Sequence, residues 1–151
     1  MDLATKTTRE DIVGLENFLR NRGGWGPEDY EHTLEHFFAP NLYARQMTIP
    51  EGHVIVGKIH KHAHVNNISK GKIAVSTEFD GIQIFDAPHQ FISTPGTKRA
   101  VYALEETIWT TYHPTKETDL AIIEDQVIAK SFDELDALTM DDGTLKIEST
   151  L

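Results

Sequence analysis

The sequence predicts a mainly β fold in which an antiparallel barrel or sandwich lies between two helical segments. Residues 41–114 contain short runs of β-branched and aromatic residues, of which 108–112 is the clearest. Turn signals separate these runs about every 8–15 residues. Helical periodicity is found only before and after this region. Closely spaced strands without intervening helices favour antiparallel pairing over a parallel sheet.

The first 40 residues are predicted to form an N-terminal helical segment. Thr7 and Glu10 have the spacing of a capping box, and the apolar residues that follow recur at helical intervals. The glycine pair 23–24 is expected to end this first helix, because glycine adopts the left-handed conformation at little cost. A second helix is expected from Pro27 to about Phe38, since proline is favoured at the first helical position.

Residues 41–114 are predicted to form the barrel. Four turns organise its strands, and they fall at residues 50–52, 69–71, 79–81 and 95–96. In the first strand, Tyr43, Arg45 and Met47 alternate with Leu42, Ala44 and Gln46. Such alternation places the two sets on opposite faces of a sheet.

Residues 115–138 regain the helical period and are predicted to form a C-terminal helix. Asp119 in its first turn and Lys130 in its last turn have the signs that the helix dipole favours. Residues 139–151 are expected to form a flexible acidic tail. The segment 117–151 carries ten acidic residues and two lysines, so most of the net charge lies in this part of the chain.

Composition excludes several classes of function. The chain has 151 residues, a formal net charge of −10 and no cysteine, which excludes disulfides, thiol nucleophiles and cysteine-ligated metal centres. The acidic balance makes direct binding to duplex nucleic acid unfavourable. No apolar run reaches the roughly 20 residues of a membrane span, and the N-terminus lacks the features of a signal peptide. We therefore expect a cytoplasmic protein.

The strongest chemical signal is the segment His60-Lys61-His62-Ala63-His64. In a straight strand the three histidines share one face, and neighbours two residues apart can chelate a metal ion. His60 and His64 would then be about 13 Å apart, so all three converge only if the chain bends near 61–63. Two interpretations stay open: a metal site formed by His60, His62 and His64, or a histidine cluster on the surface without a ligand.

Residues 49–113 resemble the cupins, a superfamily of small jelly-roll barrels also described as double-stranded β-helices. Residues 50–52 resemble the turn that opens a cupin core, and the stretch from Gly57 to Gly71 resembles the first cupin motif. Counted back from Gly71, the motif glutamate falls on His64, its second histidine at or beside His60, and its first on Lys58. Residues 95–99 resemble the second motif, whose metal-binding histidine falls on Arg99. The whole chain is also similar to small cupin-like proteins of tailed bacteriophages.

The resemblance implies a cupin-like barrel that binds a metal ion, a small anionic ligand, or both. With two or three imidazole ligands the metal would be Zn²⁺, Ni²⁺, Fe²⁺ or Mn²⁺, and no organic cofactor is implied. A phage protein of this kind would work in the host cytoplasm. The resemblance leaves open whether the protein is an enzyme, a non-enzymatic module that sequesters a ligand or nucleotide, or an assembly protein.

Four further residues are candidates for the site. Arg99, with Lys98, would bind an anion, although Arg99 could instead pair with Glu105, Glu106 or an acid of a helix. Trp109 could line a pocket or fill the core. His113 is the candidate catalytic residue, with a metal ligand and a plain strand-end residue as alternatives. The other histidines are expected to lie on the surface or in turns. We also expect a homodimer, because exposed sheet edges need cover.

Overall fold

A computed structural model describes residues 7–21 and 33–137. The helices are α1 (Arg9–Asn21), α2 (Leu120–Val127) and α3 (Phe132–Ala137). The strands are β1 (Leu34–Ala39), β2 (Leu42–Ile49), β3 (Val54–Val56), β4 (Ile59–His60), β5 (His64–Lys70), β6 (Lys72–Thr77), β7 (Gly81–Asp86), β8 (His89–Ser93), β9 (Ala100–Ala103), β10 (Thr107–Pro114) and β11 (Ile128–Ala129).

The strands form a jelly roll. One sheet has the order β1-β2-β10-β5-β8 and the other the order β3-β9-β6-β7, with antiparallel pairing throughout. Successive core strands alternate between the two sheets except at the β6–β7 hairpin. This order of connections is the double Greek key of a jelly roll. The predicted mainly β fold with helices at both ends is therefore confirmed.

The core lies between the sheets because each strand alternates inward and outward residues. In β6, for example, Ile73 and Val75 are buried while Ala74 and Ser76 are partly exposed. The main core cluster combines aliphatic residues of both sheets with Trp109 of β10. This packing fills one part of the space between the sheets and leaves the rest as a cavity.

The N-terminal part of the chain differs from the prediction in two ways. Residues 34–38 were expected to continue a helix, but they lie in β1, where Leu34 pairs with Met47 and Phe38 with Tyr43 of β2. Pairing with a neighbouring strand overrides a local spacing that also fits a helix. The capping box also begins one residue later than predicted. The backbone N–H of Thr8 donates to a carboxylate oxygen of Asp11, and the backbone N–H of Asp11 donates to the hydroxyl oxygen of Thr8.

The C-terminal helix is shorter than predicted. Asp119 caps α2, its Oδ1 accepting a hydrogen bond from the backbone N–H of Ala121 at 2.9 Å. The helix ends at Val127, where the chain becomes extended and β11 pairs with β4. Lys130 therefore does not lie in the last turn of this helix. The predicted acidic tail, residues 139–151, lies outside the described residues. Among those that are described, no helix is long and apolar enough to cross a bilayer.

The outer face of the five-stranded sheet carries an apolar row in register across all its strands. The row, which we call the outer row, consists of Phe37, Ala44, Tyr112, Val65 and Ile92. Ile92 at its end is 70% exposed. The next row on this face is polar, with Glu35 as its charged member. On a chain with a net charge of −10, such a face lets two copies approach with little repulsion.

The expected homodimer stays a prediction, and we assign it to the outer row rather than to the exposed apolar residues of the other sheet, Ile82, Ile84 and Tyr102. We expect the wild-type chain to have the mass of a dimer by light scattering at micromolar concentration. Ile92→Lys would place a charge in the interface and yield monomers. Ile84→Lys is the matched control, because Ile84 is 57% exposed on the other sheet. A monomeric wild type, or two variants that behave alike, would contradict this assignment.

Candidate functional site

A cavity of about 230 Å³ opens between the two sheets beside the main core. The inward side chains of β2, β5 and β10 form one wall, and residues of β3 and β9 form the opposite wall. Helix α2 covers part of it with Leu120, Ile123, Glu124 and Val127. The sequence alternation of β2 accounts for two polar residues of the lining, Tyr43 and Arg45, which point inward together with Met47.

Three histidines converge in this cavity. His60 ends β4, His64 begins β5, and His113 lies on the inward face of β10. The ring centroids are 4.3 Å apart for His60 and His64, 4.9 Å for His64 and His113, and 5.7 Å for His60 and His113. We call this group the imidazole cluster. It joins residues that lie more than 50 positions apart in the sequence.

Two nitrogens of the imidazole cluster have no partner. His64 Nδ1 lies 3.3 Å from the carbonyl oxygen of His62, and His113 Nε2 lies 3.0 Å from the hydroxyl oxygen of Thr111. His60 Nδ1 and His64 Nε2 are buried and form no hydrogen bond with any described residue. A buried polar atom without a partner is unusual in a folded protein and points to a ligand or to a bound ion.

The surroundings keep the imidazole cluster neutral. Burial lowers the pKa of His64 to about 4, with the Arg99 charge adding to the effect. Burial and then the neighbouring His64 lower the pKa of His113 to about 3. Burial, the two other imidazoles and the Arg99 and Arg45 charges hold the pKa of His60 well below its usual value. Neutral imidazole is the form that ligates a metal ion.

Arg99 lies at the side of the cavity and contacts residues of two strands, β8 and β10. Its Nη2 donates a hydrogen bond to Ser93 Oγ at 2.6 Å. Its guanidinium carbon lies 5.3 Å from the ring centre of Phe91 and 5.8 Å from that of Trp109. The same serine oxygen accepts a 2.6 Å hydrogen bond from Asn66 Nδ2. Trp109 Nε1 in turn donates to Asn66 Oδ1 at 2.9 Å.

Arg99 stays charged at neutral pH. Burial lowers its pKa to about 10, still three units above neutrality. Its expected pairing with Glu105, Glu106 or an acid of a helix is absent among the described residues, where Glu106 pairs with Lys70 instead. Arg99 also borders a second, smaller cavity of about 60 Å³ on the side of Asp80.

The structure separates two predicted residues from the cavity. The chain leaves the extended conformation between β4 and β5, so the alternation of the histidines breaks and His62 points to α2. His62 Nε2 lies 3.2 Å from the carbonyl oxygen of Gln126. Lys98 turns to α1, where its Nζ lies 3.1 Å from a carboxylate oxygen of Glu16. His62 and Lys98 therefore lie outside the lining of the cavity, whereas His60, His64, Arg99, Trp109 and His113 all border it.

Sequence reasoning missed other residues of the site. Asn66 carries the hydrogen bonds that link Trp109 to Ser93, and an isolated Asn in a strand gives no signal of such a role. His36 was expected on the surface, but it borders the cavity and its Nδ1 lies 2.7 Å from the hydroxyl oxygen of Tyr43. The position of Arg45 could have been predicted, because the alternation of the strand places it on the same face as Tyr43 and Met47.

The donor set fits a metal ion in its chemistry but is not arranged around one. Across residues 7–21 and 33–137, no group of three or more His, Asp or Glu side chains has the arrangement of a metal site. The rings of His60 and His113 are stacked, with 4° between their planes. Binding an ion would therefore require the imidazoles to rotate so that their lone pairs meet. After such a rotation, the unpartnered nitrogens of the neutral rings would be the ligands of the ion.

Comparison with known proteins gives similar structures but no similar sequence family. No protein-family model matches this sequence, and no curated protein matches it. A cupin-2 domain protein from Shewanella frigidimarina matches with 10% identity and a TM-score of 0.45, over 54% of this chain and 79% of that chain. KdgF from a Halomonas species matches with 18% identity and a TM-score of 0.45, over 56% of this chain and 83% of that chain.

A third solved structure is an acetylacetone dioxygenase from Acinetobacter johnsonii. It matches with 16% identity and a TM-score of 0.44, over 54% of this chain and 58% of that chain. At such identities the likeness concerns the fold alone. What the site does must come from its own residues.

Proposed function

We propose that this protein is a cupin-type binding protein that holds a divalent transition metal ion through His60, His64 and His113 and takes a small organic ligand beside it. The observation that carries the proposal is the pair of buried nitrogens without a partner, His60 Nδ1 and His64 Nε2. Each unsatisfied buried atom costs about 1–3 kcal/mol, and a bond to a metal ion would remove that cost.

The chemistry of the donors limits the metal. Three neutral imidazoles suit Zn²⁺, Ni²⁺ and Fe²⁺, whereas Mn²⁺ prefers oxygen ligands. With three protein ligands, an ion keeps open positions and can polarise or orient a bound oxygen atom of a ligand. Thr111 contacts His113 and the carbonyl of His62 contacts His64, and these are the ring orientations that metal binding would change. In this proposal His113, the candidate catalytic residue of the sequence, is a metal ligand.

Size and polarity of the cavity favour a small ligand with an apolar body. A volume of about 230 Å³ lies below the roughly 300–1,000 Å³ of sites for drug-sized molecules. Helix α2 covers part of the cavity, and an exposed ion pair between Lys58 and Glu124 links this helix to the segment before β4. A nucleotide exceeds this space, so the proposal favours a small metabolite over nucleotide sequestration.

A second candidate function is that of a non-enzymatic protein that binds an anion without a metal ion. The charged Arg99 beside the cavity supports it. The histidines of the cavity add no charge to this anion site at neutral pH, since the pKa values of His64 and His113 are about 4 and 3. The phage resemblance and the cytoplasmic location stay predictions.

Titration with Zn²⁺ and Ni²⁺ tests the metal proposal. We expect His64→Ala to weaken binding by at least about 100-fold, because even residues behind the ligands of a metal site change affinity by 10–100-fold. His62→Ala is the matched control: it removes an imidazole two residues away that points to α2, and should keep the wild-type affinity within about twofold. Equal losses in the two variants, or none in either, would contradict the imidazole cluster as the site.

A further inference from the structure

Arg99 differs from most other cations of the described chain in having no carboxylate within ion-pair distance. Exposed and half-exposed cations form ion pairs, as in Arg9–Glu78, Lys58–Glu124, Lys70–Glu106 and Lys72–Asp86. The buried Lys98 pairs with Glu16. Arg99 forms no ion pair within 4 Å with any described residue, and only the more distant charge of Asp80 opposes the burial that lowers its pKa to about 10. A largely buried charge without a close anionic partner is costly, and proteins rarely keep one without a use.

The donors of Arg99 are also largely unused. A guanidinium has five N–H donors, and the hydrogen bond from Nη2 to Ser93 Oγ uses one of them. Ser93 is held in turn by Asn66, and both side chains are almost fully buried. The faces of Phe91 and Trp109 restrict the guanidinium further. The group is therefore fixed in place with most of its hydrogen-bonding capacity free.

The cavity beside Arg99 defines the rest of the ligand. Its walls include Met47, Ile49, Ile55 and Val101, which suit an apolar body. Its volume of about 230 Å³ has room for roughly seven or eight groups the size of water. The planar fork of a guanidinium matches a carboxylate, which can accept two parallel hydrogen bonds. A phosphate dianion would call for more than this one fixed donor group.

We infer that Arg99 is a carboxylate-binding residue and that the cavity takes a small organic monocarboxylate with an apolar body. The inference rests on the proposed use of this cavity for a small ligand, but it does not depend on the metal. The carboxylate lies on Arg99 and the body lies against the apolar walls. The imidazole cluster stands at the same cavity, since the Arg99 charge acts on both His60 and His64.

The test measures binding of benzoate and isobutyrate, each against its amide, to chelator-treated protein by calorimetry. We expect each acid to bind about 10- to 100-fold more tightly than its amide, as a charge-assisted hydrogen bond implies. Arg99→Met should remove this preference. Equal affinity of acid and amide for the wild type would overturn the inference, and so would inorganic phosphate that binds as tightly as benzoate.

Thermal stability gives a second readout, because substitutions of the neighbouring residues Arg99 and Lys98 should shift the melting temperature in opposite directions. Arg99→Met removes a largely buried charge that has no carboxylate within ion-pair distance, so we expect the ligand-free protein to melt about 2–4 °C higher. Lys98→Met is the matched control: it leaves the carboxylate of Glu16 without its partner, so it should lower the melting temperature while the preference for acids remains. A lower melting temperature in Arg99→Met, with the acid preference intact, would assign Arg99 a structural role instead.

The same titrations separate this inference from the metal proposal. Carboxylate preference in chelator-treated protein supports Arg99 even if no metal ever binds. Preference that appears only after Zn²⁺ is added, and that survives in Arg99→Met, would place the carboxylate on the metal and overturn the role of Arg99 while the metal proposal stands.

Discussion

Acidification from pH 6.5 to pH 4.5 is expected to cost the metal-free protein about 4 kcal/mol of folding stability. His64 and His113 are each 4% exposed, and their pKa values are about 4 and 3 in the fold, against about 6.5 in an unfolded chain. Below pH 6.5 these histidines bind protons in the unfolded state but stay neutral in the folded state, so the folding stability falls as the pH falls. The loss is complete only below the folded pKa values.

This effect is large beside the total stability of a domain, which is about 5–15 kcal/mol. Urea titrations between pH 7.5 and pH 4.5 measure it directly. His113→Gln removes one of the three buried imidazoles of the cluster, so its stability should fall less steeply over the same range. A stability that stays flat down to pH 4.5, or an unchanged slope in His113→Gln, would contradict the buried and neutral state of the imidazole cluster.

Gly71→Ala is expected to destabilise the protein by about 2–5 kcal/mol. Gly71 joins β5 to β6 with a φ of +93°, a conformation that L-residues rarely adopt. A Cβ atom at this position would lie 2.2 Å from the carbonyl oxygen of Glu106 and 2.8 Å from the Cα of Thr107. Both are backbone atoms, so β10 would have to move, and β10 carries Trp109 and His113.

Gly52→Ala is the matched control for this substitution. Gly52 has a similar φ of +82°, but its added Cβ would meet nothing within 4 Å. It should therefore lose only the conformational term of about 1–2 kcal/mol. Urea unfolding of both variants measures the difference. Equal losses would show that the close approach of β10 to Gly71 has no energetic consequence.

The barrel was predictable because its turns require particular residues. The glycines at 52, 71, 81 and 96 all have positive φ, and together with the β-branched runs they mark where strands begin and end. β1 was not predictable, since Leu34, Phe37 and Phe38 also fit a helical spacing. Its strand conformation depends on pairing with β2, which is a contact that no local pattern reveals.

The site was predictable where residues lie close in the sequence and not where the fold brings them together. The pair His60 and His64 follows from the histidine segment and its bend. The bend also removes His62, whose ring bonds to α2, an element that lies about 60 residues away. His113 joins the cluster from β10, so its role depends on the sheet order. The lack of an ion pair at Arg99 could not be predicted, because several acids were near it in the sequence.

Metal binding by the imidazole cluster is the central claim, and the most direct test is the metal content of the double variant His60→Ala with His64→Ala. Freshly purified wild-type protein, or protein saturated with Zn²⁺ and then desalted, should hold one ion per chain by elemental analysis. The double variant should hold none, while His62→Ala retains the full amount. A wild type that holds no metal after saturation, or a double variant that holds as much as the wild type, would contradict the account.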